Sequence, residues 1–345
     1  MTFRALQVTK SDDGEVSTKL RVDVTDAELA DSAPDSDVTV DVEYSGINYK
    51  DGLALAGSPG VMRTNPLIPG IDLVGTVAES DSPDWNVGDP VILTGWGIGE
   101  TRDGGLSERA RVRGEWLIPL PPKISARRAA AIGTAGLTAA LAVLALGGRG
   151  SFAGGSGMGV AGGGDRGEIL VTGASGGVGS IAIALLAAAG HRVIASTGRA
   201  SQRDYLLGLG AADTIERASL EDPGRPLQKQ RWSGVIDSVG GHTLANAIAQ
   251  TNHGGVVAAC GLVGGTDIPT TVMPFILRGV TLAGINSVEA STPVRAAAWQ
   301  LLERDLDLDL LDSFTASVPL DGAIDAGAAI LRGELHGRTV VTLRE

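Results

Sequence analysis

Val171-Thr172-Gly173-Ala174-Ser175-Gly176-Gly177-Val178-Gly179-Ser180 follows a short apolar run, 169–171, and opens a second apolar run, 181–189, with helical composition. Glycines at 173, 176 and 179 allow a tight turn, close approach of the backbone to a pyrophosphate, and packing of the new helix on its strand. The helix N-terminus adds amide donors for phosphate. The flanking strand and helix set this stretch apart from a glycine-rich surface loop, its plain alternative. A phosphate loop for ATP or GTP fits less well, because no Lys-Ser or Lys-Thr pair closes the motif. The expected ligand is a dinucleotide.

Downstream of this loop, strand-like segments at 192–196, 214–215, 234–238, 255–260 and 280–285 alternate with helical stretches at 203–209 and 244–250. Such alternation predicts an α/β fold with a doubly wound parallel sheet. Upstream, 38–42, 73–77, 91–93 and 110–112 are short apolar or alternating segments separated by Gly, Pro and Asp turns, the texture of a β-rich, barrel-like domain. The pattern turns helical from Ala126, with 129–132 and 137–146 rich in Ala and Leu. Helical stretches at 294–304 and 323–331 and a strand at 339–343 complete the chain. From 147 to 167, eleven of twenty-one residues are glycine, which reads as a mobile linker insertion or, alternatively, a substrate lid.

The chain has 345 residues, 43% of them hydrophobic, enough for a large core and two domains. No basic leader with a long apolar core and no apolar run long enough to span a bilayer is evident, so a cytoplasmic protein without membrane contact is expected. A net charge of −12 and the lack of a dense Lys/Arg run argue against nucleic acid. The single cysteine, Cys260, cannot form an internal disulfide and reads as a packing residue. His191, His242, His253 and His336 are scattered and form no metal-ligand motif, so no metal is expected.

An acidic residue about twenty positions past the first glycine would bind the adenosine ribose of NAD, whereas the 2′-phosphate of NADP calls for cations or hydroxyls. Here the sequence reads Ser196-Thr197-Gly198-Arg199, with no carboxylate from Gly190 until Asp204 and a second cation at Arg203. NADPH is therefore expected, with Arg199 pairing the 2′-phosphate through its planar fork. A solvated surface role for Arg199 is the alternative.

Several further motifs occur in order: Ile47-Asn48-Tyr49-Lys50-Asp51, Pro69-Gly70-Ile71-Asp72, Leu93-Thr94-Gly95-Trp96-Gly97-Ile98-Gly99-Glu100, Gly133-Thr134-Ala135-Gly136, Ala259-Cys260-Gly261-Leu262 and Pro274-Phe275-Ile276-Leu277-Arg278-Gly279. Together with the glycine loop they resemble the zinc-independent medium-chain dehydrogenase/reductases, more narrowly the acrylyl-CoA reductase subgroup often labelled quinone oxidoreductases. The resemblance covers nearly the whole chain apart from the glycine-rich insertion. Zinc-dependent relatives carry Gly-His-Glu where this chain has Gly70-Ile71-Asp72, and a catalytic cysteine where the segment before Asn48 has none.

The resemblance implies a GroES-like catalytic domain at 1–125 and 287–345 and a Rossmann NADP-binding domain at 126–286. It implies NADPH-dependent reduction of the activated double bond of a short enoyl-CoA such as acrylyl-CoA, with hydride passing to the β-carbon and a proton to the α-carbon. Donors to the thioester oxygen would stabilise the developing enolate. Reduction of a quinone or conjugated ketone is the alternative substrate class, and a non-catalytic NADPH-binding protein the alternative of another kind. Tyr49 is the first catalytic candidate, since a phenol can donate a hydrogen bond or a proton, with cofactor packing as its other reading. Asn48 would orient substrate or bond the chain, and Asp51 would cap a helix over 52–56. The resemblance places Ser175, Gly176, Gly177 and Val178 at the pyrophosphate, Thr197, Gly198 and Arg199 at the adenosine phosphate, and Leu262, Ile276 and Ser287 beside the nicotinamide half. Thr134 could also approach the nicotinamide, although small residues at 133–136 equally suit close helix packing. Arg63, Arg278 and Arg338 are conceivable cations for coenzyme A, each also readable as a solvated charge. Two departures stand out: Asp213 where the subgroup can carry an Arg near the adenosine phosphate, and Gly333 where Asn is frequent. The resemblance also suggests homodimers or higher oligomers through edge pairing of the nucleotide-domain sheets.

Overall fold

The structure, a computed structural model, describes residues 1–147 and 167–344. The chain folds into two units, one made of Met1–Thr134 with Val288–Thr292 and Leu311–Glu345, the other of Ala135–Ser287 with Pro293–Leu310.

The second unit contains strands β8 (Glu168–Val171), β9 (Arg192–Thr197), β10 (Asp213–Glu216), β11 (Trp232–Asp237), β12 (Thr251–Ala259) and β13 (Thr281–Gly284), all five adjacent pairs parallel. Their order is β10-β9-β8-β11-β12-β13, so the sheet starts in its middle at β8 and reverses direction between β8 and β11. In a doubly wound sheet that reversal opens a crevice at the carboxyl ends of the strands, where dinucleotides bind. The glycine loop leaves β8 at that end. Helices α4 (Gly177–Ala188), α5 (Arg203–Gly208), α6 (Gly241–Gln250) and α7 (Met273–Arg278) connect the strands, and Leu170, Ile194, Val235, Leu244, Ile248 and Val257 share one buried cluster. All five strands expected after the loop are present.

The first unit is built around strands β3 (Val38–Gly46), β4 (Asp72–Ser80), β5 (Pro90–Thr94), β7 (Ile118–Pro119), β14 (Thr315–Pro319) and β15 (Arg338–Thr342), ordered β14-β15-β3-β4-β5-β7, with β6 (Arg109–Val112) paired to β3. All pairs are antiparallel except β14 with β15. A hairpin, β1 (Thr2–Lys10) and β2 (Val16–Thr25), precedes them and is followed by α1 (Asp26–Ser32). The expected segments 38–42, 73–77, 91–93 and 110–112 all lie in these strands. Helix α2 (Tyr49–Leu55) packs on α10 (Ala323–Leu331), brought close by Gly52, where a Cβ would press on the Gly327 carbonyl.

Three expectations change. Helix α3 (Ala126–Leu146) is long and apolar enough to cross a membrane by length and composition, contrary to the reading of its sequence; most of it is buried, which accounts for its hydropathy by packing within protein. It is also broken at Gly133 (φ 46°, ψ −154°), and the chain passes from the first unit to the second just after the break, at 134/135, whereas the expected boundary stood at 125/126. Helix α8 (Thr292–Asp305) belongs almost entirely to the second unit, so the segment after 287 does not return to the first domain as one piece; it does so within α9 (Leu308–Ser313), at 310/311. The reading of the glycine-rich segment falls on 148–166, outside the described residues.

Candidate active site and nucleotide loop

In the first unit, α2 begins at Tyr49, whose side chain is 43% exposed, while its neighbours Asn48 and Asp51 are buried. Asn48, not Asp51, is the N-cap residue: the Asp51 carboxylate reaches back from the third helical position and accepts the Asn48 backbone N–H at 2.8 Å. The acid that a local reading placed at the cap thus closes a capping box. Asp51 Oδ2 also accepts an Asn48 side-chain N–H (3.0 Å), and its Oδ1 accepts the Ile71 backbone N–H (2.8 Å).

The other proton of the Asn48 amide goes to Asp72 Oδ2 at 2.8 Å, and its oxygen accepts Arg338 Nη1 at 3.1 Å. Asp72 also accepts the Thr134 backbone N–H (3.0 Å) and the Thr134 hydroxyl (2.6 Å), both at Oδ1. Arg338 donates to the carbonyls of Ala131 and Ile47, and its Nη2 stands 4.0 Å from Asp72 Oδ2. The cluster forbids side chains around it: a Cβ on Gly133 would strike the Asp72 carboxylate, and one on Gly46 would lie 3.1 Å from Arg338 Nη2. Arg338 is therefore a buried internal cation rather than a solvated one. Burial, with the Asp72 charge added, pushes Asp51 up to about 7 against the pull of its N–H donors. Burial lowers the Arg338 pKa, opposed by the two carboxylates.

In the second unit, Gly173 turns at φ 56°, and a Cβ there would strike Ser238 Oγ; a Cβ on Gly179 would sit 2.5 Å from the Gly173 carbonyl oxygen. Gly176 is the N-cap residue of α4, which places Gly177 and Val178 in its first turn, where backbone N–H groups lack helical partners. Below the loop, buried Asp237 at the end of β11 accepts the Thr172 hydroxyl (2.6 Å) and the Gly240 N–H (2.8 Å), tying together the loops that follow β8 and β11. Burial raises its pKa. It also raises Cys260, helped by the Asp237 charge, to about 12, which keeps the thiol protonated and suits a packing residue.

The structure brings together the residues expected at the adenosine end. Arg199 Nη2 donates to Ser175 Oγ at 3.3 Å, and the Arg199 N–H donates to Thr197 Oγ1 at 3.2 Å. Gly198 lies against a cation the sequence reading missed, Arg217, whose guanidinium carbon would be 3.0 Å from a Cβ there. Arg203 is paired with Asp213 at 3.2 Å. Leu262 and Ile276 are 65% and 73% exposed, whereas Ser287 is buried, its hydroxyl accepting from Thr138 (2.8 Å) and its carbonyl from Arg295 (2.8 Å). Arg278 donates to the Ala249 carbonyl at the end of α6 and to the Gln228 carbonyl before β11. Asn48 and Tyr49 belong to the first unit and all the other assigned residues to the second.

The fold and the loop define a two-domain, dinucleotide-binding oxidoreductase. Residues 34–122 match the family model described as alcohol dehydrogenase GroES-like domain and 177–304 that described as zinc-binding dehydrogenase. The chain is 45% identical to the acrylyl-CoA reductase AcuI of Ruegeria pomeroyi over 98% of each chain. Its fold superposes on the yhdH oxidoreductase of Salmonella enterica in complex with NADP (TM-score 0.90, 45% identity, 99% and 100% covered). It superposes equally on Bacillus subtilis yhfP with NAD bound (TM-score 0.90, 43% identity, 99% and 100% covered), a protein called a putative quinone oxidoreductase. The chain belongs to the medium-chain dehydrogenase/reductases. Within them it falls in the acrylyl-CoA reductase and quinone oxidoreductase-like group.

Positions 70–72, where zinc-dependent relatives carry Gly-His-Glu, do not fit a zinc ion. At 70–72 the middle side chain is the buried hydrocarbon of Ile71, and the oxygens of Asp51 and Asp72 already accept the N–H and O–H groups described above. Among the described residues no three His, Cys, Asp or Glu side chains are grouped to hold an ion.

Proposed function

We propose that this chain is an NADPH-dependent reductase of the activated carbon–carbon double bond of a short enoyl-CoA, converting acrylyl-CoA to propionyl-CoA without zinc. The observation that carries this reading is 45% identity, along almost the entire chain, to an acrylyl-CoA reductase. We assign Ser175, Gly176, Gly177 and Val178 to the pyrophosphate, and Thr197, Gly198 and Arg199 to the 2′-phosphate. Leu262, Ile276 and Ser287 border the nicotinamide half. Arg199, held over Ser175, with no acid in the 190–203 stretch, supports NADPH over NADH; Arg217 beside Gly198 is already paired with Glu221.

When bound, NADPH supplies the hydride that adds to the β-carbon. The chain's part is to place the thioester, to hold donors toward its oxygen as the enolate develops, and to bring a proton to the α-carbon. Tyr49 is the residue we assign to the proton, carried at its Oη at the exposed start of α2. The side chain of Asn48 is spent inside the protein, so its role is to hold the turn. Quinone reduction is the second reading, favoured by the resemblance to the quinone oxidoreductase-like yhfP protein. NADPH oxidation measured with acrylyl-CoA, crotonyl-CoA and a benzoquinone separates them. Fastest turnover on acrylyl-CoA is expected; preference for the quinone overturns the substrate, and cofactor binding without turnover on any acceptor points to a non-catalytic protein.

We also propose a cytoplasmic homodimer. Strand β13 is one edge of the sheet, and the segments before it expose the apolar side chains of Val263, Val272 and Leu277. Light scattering of the purified chain should give twice the monomer mass; a monomer at micromolar concentration sinks the dimer.

A further inference from the structure

The buried cluster of the first unit is more elaborate than holding a two-turn helix requires. It joins residues from β3 and its exit, α2, the start of β4, the break in α3 and the start of β15. Asn48 stands at its centre with all three hydrogen-bonding atoms of its amide engaged: both protons to carboxylates and the oxygen to a guanidinium. The residue after it is Tyr49. We infer that Asp72 and Arg338 are positioning residues for the reduction, fixing through Asn48 the turn from which Tyr49 projects. The inference rests on the functional reading above, for it assigns to these residues the placement of that reading's proton donor.

Asp72 can do this only as a carboxylate. Its Oδ1 accepts the Thr134 hydroxyl and its Oδ2 the Asn48 amide, with the Thr134 N–H shared between them, so an amide in its place must turn an N–H toward a donor whichever way it faces. Arg338 complements it by occupying the oxygen of Asn48, which fixes which way the amide faces. Gly46 and Gly133 leave no room for a side chain that could take over either role.

The arrangement has a consequence for pH. The charged groups around Asp51 are Asp72 on β4 and Arg338 on β15; Lys50 of its own helix is paired with Glu100 at 2.8 Å, and Asp325 on the packed helix α10 is exposed. Asp51 holds the turn through three N–H groups as a carboxylate, so turnover should fall as the pH drops through about 7. Stability runs the other way. A carboxyl whose pKa is raised by folding contributes stability below its ordinary value, and that contribution is lost as pH rises through about 7. Removing the Asp72 charge takes away the second cause of the shift and should move the acid limb of the activity profile to lower pH.

The experiment compares wild type with Asp72→Asn and Arg338→Lys, the latter keeping a buried cation but losing the fork that reaches Asn48. For Asp72→Asn, kcat on acrylyl-CoA should fall about tenfold above neutrality, with KM and NADPH Kd within about threefold of wild type. Its acid limb should shift to lower pH, and amide exchange at 48–52 should accelerate. Arg338→Lys should lose kcat in the same way and, with Asp72 intact, keep the wild-type limb. Unchanged kcat per folded enzyme, an unmoved limb and unchanged exchange, with only Tm lowered, would overturn the inference and leave the cluster structural. If Asp72→Asn does not fold, the kcat and exchange of Arg338→Lys decide. Wild type without turnover on any acceptor breaks the functional reading alone, and exchange at 48–52 still tests whether the cluster positions the turn.

Discussion

The turn presenting Tyr49 and the loop after β8 are both places where the chain must hold an unusual shape, and they do it by opposite means. Around the loop, shape comes from the main chain: Gly173 takes a left-handed conformation, Gly179 admits the Gly173 carbonyl, and one buried carboxylate, Asp237, ties the floor. Around the turn, shape comes from side chains: two carboxylates, an amide, a hydroxyl and a guanidinium bond one another in a buried space, with Arg338 Nη2 alone reaching no closer than 4.0 Å to Asp72. A main-chain device leaves amide groups open for a ligand's phosphates. A side-chain device uses up its own polar groups and hands the chemistry to the neighbour it positions. The first is suited to binding, the second to aim.

That contrast predicts which half of the molecule tolerates less. Arg338→Met leaves Asp51 and Asp72 buried without a cation, and breaking a buried charge pair costs about 3–5 kcal/mol. Urea unfolding should show a loss of this size, the largest expected for any single change described. A loss under about 1 kcal/mol would mean that the carboxylates share a proton in place of the cation, and the side-chain account of the turn would need rebuilding.

How much could be read in advance follows the same division. The loop and the sheet around it were legible because their signals are local: glycines three residues apart, a strand before, a helix after, and five strands each bounded by turns. Ser175 and Arg199 follow the neighbouring strands β8 and β9, so their closeness also rests on local elements. The cluster was not, because its bonds span 24, 62 and 290 residues, and no window along the sequence contains both ends. Asp72 stood in a recognised motif and Arg338 among possible surface cations, yet their pairing requires β3 to lie between β4 and β15. Arg217 escaped for a related reason: it reaches Gly198 from after β10, from a segment with no motif. The apparent N-cap at Asp51 failed more locally. Asp at the third helical position and Asp at the cap look alike until the start of the helix is known.

The main-chain device can be tested without disturbing the first unit. Gly173→Ala demands a left-handed conformation from an L-residue, at about 1–2 kcal/mol, and presses its methyl group on Ser238. If the loop relaxes away from that shape, binding must restore it, so NADPH affinity should fall about tenfold in a fluorescence titration. Turnover at saturating cofactor should be nearly preserved. A variant with normal affinity and depressed kcat would show that the loop contributes aim as well as binding, and the division between the two regions would weaken.

The smallest effect is expected where sequence alone made the case for NADPH ambiguous. Asp213 opposed the cations at 199 and 203 in that reading, but the structure spends it on Arg203, in a pair with both side chains about half exposed. Each cancels the other's charge toward a phosphate, so neither should influence the choice of cofactor. Arg217, against Gly198, is paired in the same way with Glu221 at 2.5 Å, so Arg199, held over Ser175, is left to set the preference. Arg203→Ala should therefore alter NADPH affinity by about threefold or less and stability by under about 1 kcal/mol, as exposed pairs do. A tenfold loss confined to NADPH, with NADH binding unchanged, would show that Arg203 leaves Asp213 to reach the 2′-phosphate. The adenosine end would then depend on side-chain rearrangement, and the loop would resemble the Tyr49 turn more closely than its glycines suggest.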